Sequence, residues 1–374
     1  MQGNGLEIRE EVALAPLTTF GVGGAARFFA VAKSEVDVVQ AVAWAAERGL
    51  PLFVLGGGSN LLVRDEGFNG LVLRIEISGI KDLREGLFEV GAGESWDGFV
   101  QRMVDAGFAG VECMAGIPGS VGGTPVQNVG AYGQEVSETI ETVRVFDREA
   151  GDFVELTKEQ CRFRYRQSRF NAEEPGRFIV TQVRFRLRPG GAATLKYAEL
   201  QKRFELNSDS VEAHVPKSGH GAPGLVEVAN VVREIRRGKG MLLVEGDPEN
   251  HTAGSFFKNP VVEVEMLAPV AVAAGVAAEK VPHWSIGKGR IKLPAAWLLE
   301  GAGFVKGWGD GAVGISSRHT LALVNRGGAT FEDVTRVKCE IVDGVWSTMC
   351  SNSSSCTVSQ TVCRRSSLEE SVAA

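Results

Sequence analysis

The chain has only six cysteines and three tyrosines in 374 residues, and it lacks a basic leader, a long apolar run and any excess of positive charge. Cys113 and Cys161 stand alone in apolar or mixed surroundings and read as buried, reduced thiols, so no disulfide framework is expected. Cys350, Cys356 and Cys363 crowd a Ser-rich tail at spacings that fit no zinc pattern, so no metal is expected either. The opening MQGNGLEIREEV carries no basic region followed by an apolar stretch, which argues against a signal peptide. The longest apolar candidate, Met266 to Ala278, is broken by Pro269 and Gly275 and falls short of the roughly eighteen residues a spanning helix needs. A soluble, cytoplasmic protein is the expectation. With 40 Lys and Arg against 46 Asp and Glu, the net charge of -6 argues against a non-specific binder of nucleic acid or of an anionic membrane. A local cluster of Arg and Lys can still hold an anionic substrate.

What is present divides by pattern. Over residues 1–78 strand and helix alternate: Ala25 to Val31 reads as a strand, and Ser34 caps a helix through Asp37. Val38, Val42 and Ala45 share that helix's face, and Gly49 ends it. PLFVLGG follows as an apolar strand, and LLVRDEGFNGLVLRI reads as two short strands about a glycine turn. Over 79–206, strand-like pieces (LFEVGAGE, TVRVFDRE, DFVELT, RFIVTQVRFRL) surround a helix from Ser95 to Ala106 whose Trp96, Val100 and Met103 share a face. Together these are α+β. The polar, Gly/Pro-rich Asn207 to Gly224 reads as a linker or surface loop. Residues 207–346 then read as a small α/β domain. It has a helix from Val226 to Arg237, SFFKNPVV as a strand, a helix near Val264 to Ala278, a helical KLPAAWLLEGAG, strands AVGIS and LALVN, and a helix from Phe331 to Val345.

Four segments carry chemistry. Gly56-Gly57-Gly58-Ser59-Asn60 follows an apolar strand, where consecutive glycines let backbone N–H groups turn inward around an anionic oxygen; a plain tight turn is the other reading. Its contiguous glycines are not the spaced dinucleotide fingerprint. Gly116 to Gly133 packs six glycines into eighteen residues, with Gln127, Asn128 and Tyr132 among them. It has too few side chains for a core and too many apolar ones for a linker, which suits a backbone laid against a large flat ligand; an ordered Gly-rich loop without ligand is the other reading. Two such loops on separate units fit one FAD held outside a Rossmann fold. In Cys161 to Ser168, alternation puts Arg162, Arg164 and Arg166 on one strand face, as a solvated edge or as an anion contact. Ser255, between Gly254 and the aromatic pair Phe256 and Phe257, is either a proton donor in a partly dry pocket or merely the start of a strand. Gly-x-Ser-x-Gly is absent, which argues against a hydrolase nucleophile elbow.

Taken in order, Thr18-Thr19-Phe20-Gly21-Val22-Gly23-Gly24, Gly56 to Asn60, Gly116 to Gly133, Tyr165-Arg166 and Gly254 to Pro260 resemble the motifs of the UDP-N-acetylenolpyruvoylglucosamine reductase (UDP-N-acetylmuramate dehydrogenase) family, over Thr18 to Val345. The resemblance implies an α+β, vanillyl-alcohol-oxidase/PCMH-type FAD-binding fold of two subdomains, 1–78 and 79–206, with the FAD-binding domain at about 20–190. A C-terminal α/β substrate-binding domain, 207–346, would follow. It implies bound FAD and NADPH as co-substrate. It also implies reduction of UDP-N-acetylglucosamine enolpyruvate in cell-wall precursor synthesis, by a monomer without nucleic-acid or membrane partners. On it, Arg166 matches the arginine that contacts substrate and flavin, and Ser255 matches the proton donor. Gly56, Gly57, Gly58, Ser59, Asn60, Ile117, Pro118, Gly119, Ser120, Gly122, Gly123, Gln127, Asn128, Gly130 and Tyr132 fall to the cofactor. Tyr165, Tyr197, Lys239 and Asn259 fall to the substrate, with Tyr197 matching the tyrosine that covers it in the longer family type.

The family's closing Leu-Glu-Pro-Glu-like motif has no counterpart here. After Val345-Trp346, the 21 residues STMCSNSSSCTVSQTVCRRSS hold eight serines and three cysteines, and Leu368-Glu369-Glu370 comes too far downstream and without the proline. Residues 347–374 are expected to form an unstructured tail, read out of frame, and the family's catalytic glutamate stays unassigned. Losing a charge-stabilising partner raises the barrier, so a chain that binds FAD and turns over slowly is an alternative expectation. Another oxidoreductase of the same flavin fold is a second.

Overall fold

The computed structural model describes residues 6–204 and 222–349. Most of the loop expected at Asn207 to Gly224, and the tail from residue 350 onward, lie outside them. The described residues form two compact units. One gathers the residues up to Val12, Ala26–Gly58 and Phe68–Leu243; the other gathers Ala13–Ala25, Ser59–Gly67 and the described residues from Val244 on. The two subdomains expected for the flavin thus share one unit with the helix Leu225–Gly238, and two short N-terminal segments belong with the C-terminal unit.

In the first unit the strands Ala25–Ala32, Phe68–Ile75 and Leu52–Leu55 run parallel, with Arg9–Ala13 at the edge. The helix Glu35–Glu47 begins where expected, on a capping box: Ser34 Oγ accepts from Asp37 N, and Asp37 Oδ2 accepts from Ser34 N. LLVRDEGFNGLVLRI yields one strand, Phe68–Ile75, rather than two. Its first half is a bracket. Asp65 accepts from the backbone N–H groups of Phe331 and Glu332, capping the helix Phe331–Met349. Gly67, at φ +76°, has no room for a side chain, since a Cβ there would sit 1.9 Å from the Ala25 carbonyl oxygen.

A five-stranded sheet in the order Asp152–Thr157, Ile140–Asp147, Phe178–Arg186, Leu87–Gly91 and Ile80–Asp82 completes this unit, all of it antiparallel. The helix Trp96–Asp105, capped by Ser95, buries Trp96, Phe99, Val100, Met103 and Val104 against it. The Phe99 and Phe185 rings lie 5.0 Å apart, and each such buried aromatic stabilises the unit by about 1.5–3 kcal/mol. Arg144, on the sheet, holds Glu35 of the first helix through two nitrogens, at 2.7 and 3.0 Å, while the Thr181 hydroxyl donates to the same carboxylate. Burial opposes ionisation of Glu35, but these donors outweigh it and its pKa falls.

In the second unit Thr252–Ser255, Ala322–Asn325 and Val313–Ile315 form one sheet, and Val261–Glu263, Arg290–Lys292 and Trp284–Gly287 form another. SFFKNPVV is therefore not one strand: the chain breaks between Phe256 and Pro260, and proline has no N–H for a ladder. The helix expected to reach Ala278 stops at Ala274, because Gly275 takes the left-handed conformation that ends helices. The last helix continues past Trp346 to Met349, whose buried side chain occupies the space a Cβ on Gly301 would need.

Asp147, at the end of its strand, is gripped by Arg177 at 2.9 and 2.6 Å. That contact, against the opposing effect of burial, holds its carboxyl below the ordinary 3.8. A carboxyl depressed in the folded state contributes stability that is complete above the ordinary value and is lost as the pH falls below it. Asp147→Asn is expected to lower stability at neutral pH by about 1–3 kcal/mol and to flatten the acid limb of a denaturation-versus-pH curve. An unchanged acid limb contradicts this.

Candidate active site

The two glycine-rich loops meet backbone to backbone in the first unit. Gly57 lies so close to the second loop that a Cβ on it would stand 2.6 Å from Gly119 Cα and 2.9 Å from Ser120 N. A Cβ on Gly56 would stand 2.8 Å from Ser120 Oγ. The backbone N–H groups of Gly57, Gly58, Gly119 and Ser120 donate to no group among the described residues. Donors without a partner among the described residues, on two touching Gly-rich segments, can serve as an anion-binding nest, a chemistry that suits the pyrophosphate of a dinucleotide. Gly122 serves packing, with a Cβ 2.6 Å from that of Ala92, while Gly123 is open. Ile117 and Pro118 are half-buried beside them. Ser59 and Asn60 belong to the second unit, where the Ser59 carbonyl accepts from Thr19 Oγ1 at 3.4 Å. The same hydroxyl donates to the Thr252 carbonyl at 2.6 Å, which makes the Thr18–Gly24 motif a bracket for the strand ending in Ser255.

Beyond Gly123 the second loop is pinned from below. Glu112, fully buried, accepts from Gly110 N, Gln134 Nε2 and Thr194 N. Cys113 is buried as expected, and burial pushes its thiol pKa up. Asn128 is buried at φ +45°, and its amide is fully engaged with Glu135, the Arg164 carbonyl and Ser137 N. The family resemblance gives Asn128 to the cofactor, but a buried amide with all these partners braces the loop. Gln127 is half-buried next to it.

Cys161 to Ser168 is not a strand, so its arginines do not share a face. The segment turns at Arg164–Gln167, and Arg162 and Arg166 sit at φ +51° and +56°. Arg162 and Arg164 pair with Glu173 at the surface. Arg166 is separated from them and donates to the Gly130 carbonyl at 2.7 Å, with Tyr165 half exposed beside it. Left-handed backbone at Arg166, Asn128 and Tyr132 (φ +47°) costs on the order of 1–2 kcal/mol each, and such strain gathers at functional sites.

Tyr132 is the centre of a polar cluster. The Tyr197 ring meets it edge-on at 5.3 Å, and Lys239 Nζ lies 5.6 Å from its ring centre and 2.5 Å from Glu199. Gly133 lets this happen: a Cβ there would sit 3.0 Å from that of Lys196, beside Tyr197. Beneath the cluster Arg236, 7% exposed, donates to the carbonyls of Gly116 at 3.0 Å and Met241 at 2.6 Å and hydrogen-bonds Tyr132. Burial, with Arg166 as a nearby like charge, lowers the Arg236 pKa. Burial likewise pushes the Tyr132 phenol up to about 12, so it remains a donor at neutral pH. Arg166, Arg236 and Lys239 thus bring three cations to this cluster in an acidic chain, with Glu199 paired to Lys239 and Asp97 acting on Arg236.

In the second unit Ser255 ends its strand, half-buried beside the buried Phe256 and Phe257, and its Oγ lies 3.3 Å from His319 Nε2. Asn259 Oδ1 accepts from Ala295 N at 2.9 Å, capping the helix Ala295–Gly301, and its Nδ2 has no partner among the described residues. Three residues of these clusters escaped the sequence: Arg236, Glu199 and His319. Arg236 had a signal, since Val228, Val232 and Arg236 continue one buried stripe and a charge on such a stripe needs a reason. His319, 64 residues from Ser255, had none.

Gly57→Ala drives a methyl into Gly119, an overpacking of about 1–3 kcal/mol, and is expected to weaken retention of the flavin roughly tenfold in a fluorescence titration. Undiminished affinity contradicts the nest.

A family model described as an FAD binding domain matches residues 26–157. Another, the C-terminal domain of UDP-N-acetylenolpyruvoylglucosamine reductase, matches 247–350. A reductase of that name from Streptomyces coelicolor is 47% identical over 344 residues, which cover 90% of this chain and 85% of the relative. One from Thermobifida fusca is 43% identical, covering 89% and 92%. The crystal structure of the Thermus caldophilus reductase superposes with a TM-score of 0.61 at 27% identity, covering 90% of this chain and 95% of that one. The chain belongs to the UDP-N-acetylenolpyruvoylglucosamine reductase family.

Proposed function

We propose that Arg166, Ser255 and the Tyr132 cluster carry out the reaction of this family, the NADPH-dependent, FAD-mediated reduction of UDP-N-acetylglucosamine enolpyruvate to UDP-N-acetylmuramate. The observation that carries the assignment is the Gly57–Gly119 contact, whose four N–H groups have no acceptor among the described residues, in the same unit as the Arg166–Arg236–Lys239 cluster. The glycine loops would hold FAD, and bound there it would supply the hydride chemistry between NADPH and the vinyl group of the substrate.

The chain's own residues bind, orient and protonate. Gly57, Gly58, Gly119 and Ser120 hold the pyrophosphate through backbone N–H groups, with no side chain to displace. Arg166 sits beside Gly130 on a strained turn and stabilises the negative charge that grows on the substrate carboxylate. Tyr197 and Lys239 hold the nucleotide sugar, Tyr197 from its half-exposed position over Tyr132. Asn259 binds it through the free end of its amide. Ser255, half-buried beside two aromatic rings, delivers the proton to the adjacent carbon. The residues that follow Met349, where the family's glutamate would be sought, lie outside the described residues. A cytoplasmic monomer acting on a small nucleotide sugar, without nucleic-acid or membrane partners, fits the acidic charge; among the described residues no helix is long and apolar enough to cross a membrane.

An anaerobic two-step titration tests the reading. NADPH is expected to bleach the visible flavin band, and the enolpyruvyl nucleotide sugar is expected to restore it. Arg166→Lys is expected to keep the bleaching and slow the recovery by about a hundredfold or more. A colourless protein that takes up no FAD contradicts the reading, and full recovery in the Lys variant contradicts the role of Arg166.

A further inference from the structure

Ser255 can deliver its proton once; to turn over, its oxygen must be reprotonated by a group that reaches it. His319 Nε2 lies 3.3 Å from Ser255 Oγ. The backbone that carries the imidazole is set beside the serine by the fold. It stands in the turn between the strands Val313–Ile315 and Ala322–Asn325, and Ala322 N donates to its carbonyl at 3.0 Å. Across the ladder Ala322 is the register partner of Ser255, and Phe256 N donates to the Leu321 carbonyl at 2.7 Å. The strand that carries the serine and the turn that carries the histidine are thus bonded on both sides of the contact.

The turn is further fastened by a charged network. Ser316 Oγ accepts from the N–H groups of Arg318 and His319, at 3.0 and 3.3 Å, and donates to Glu249 at 2.5 Å. Arg318 in turn grips Glu249 at 3.2 Å and Asp247 at 2.6 Å. Burial disfavours the Glu249 carboxylate, but the Ser316, Ser317 and Arg318 donors outweigh it and keep it ionised. Ser316, Arg318, Glu249 and Asp247 therefore fasten the backbone that carries the imidazole.

We propose that His319 is the positioning residue of Ser255: it fixes the direction of the hydroxyl and returns a proton to it within each turnover. The inference rests on the reading of Ser255 as proton donor. The step balances. The Oγ–H bond breaks as a C–H bond forms on the substrate carbon next to the one that receives hydride, and the hydride of the family reaction supplies both electrons. The Nε2–H bond then breaks as Oγ–H re-forms, and the imidazole takes its proton back from water.

The test separates the two half-reactions of the FAD-loaded, full-length enzyme by stopped flow, in wild type, His319→Ala, His319→Gln, Ser255→Ala and the double variant Ser255→Ala/His319→Ala. Bleaching by NADPH is expected to stay within about twofold of wild type in the His319 variants, while recovery on the enolpyruvyl substrate slows by about tenfold to a hundredfold. Free imidazole is expected to restore part of the recovery in His319→Ala, and His319→Gln is expected to remain slow, because its amide can hold the hydroxyl but cannot pass a proton. The double variant is expected to recover no more slowly than Ser255→Ala alone, since the two residues act as one unit. Wild-type recovery in both His319 variants, with Ser255→Ala slow, overturns the role of His319 and leaves that of Ser255 standing. Additive losses in the double variant overturn the coupling. Wild-type recovery in Ser255→Ala overturns the serine's role, and with it this inference.

Discussion

Backbone-to-backbone contact between Gly57 and Gly119 is the constraint on which the rest of the first unit depends. Two loops from different parts of the chain touch where Gly57 meets Gly119, and four N–H groups there donate to no group among the described residues. Their presence at one place, on both sides of a single contact, gives the loops a reason that a tight turn or an ordered linker does not. The neighbouring architecture serves to hold this contact. Ser95 caps its helix and pairs with Ser120, Glu112 ties the second loop to Thr194, and Asn128 locks the loop's middle.

Charge follows the same logic. The chain is acidic overall, yet Arg236 is buried at the base of the Tyr132 cluster, with Arg166 as a nearby like charge. A buried guanidinium is tolerated only when its donors are engaged, and here two carbonyls and a phenol engage them. Three cations stand there against Glu199 and Asp97, and a substrate bearing a carboxylate and a diphosphate would complement the excess. Left-handed backbone at Asn128, Tyr132 and Arg166 shows that the fold tolerates strain to aim these groups.

Much of this was legible in the residues, and the reasons for the rest are physical. Caps and apolar stripes act over a few residues, so Ser34, Ser95 and the helix from Trp96 could be read directly. Gly56 to Gly58 and Gly116 to Gly133 could be read as loops lying against a ligand, but not as loops lying against each other, because that contact joins positions 62 apart (119 − 57). The arginines of Cys161 to Ser168 were misplaced because alternation was taken for a strand, whereas the glutamate partner at 173 and a turn at 164–167 decide their directions. SFFKNPVV was misplaced for a similar reason, since burial of both phenylalanines looks like a strand until Pro260 breaks it. His319 illustrates the limit: a partner brought in by sheet register leaves no local trace.

Amide hydrogen exchange with and without FAD tests the central claim most directly. Slowed exchange on flavin binding at Gly57, Gly58, Gly119 and Ser120 together is the result predicted, because these four N–H groups have no acceptor among the described residues and the flavin's pyrophosphate would supply one. Unchanged exchange at all four, with protection confined to other segments, would mean that the two loops meet for the sake of packing alone.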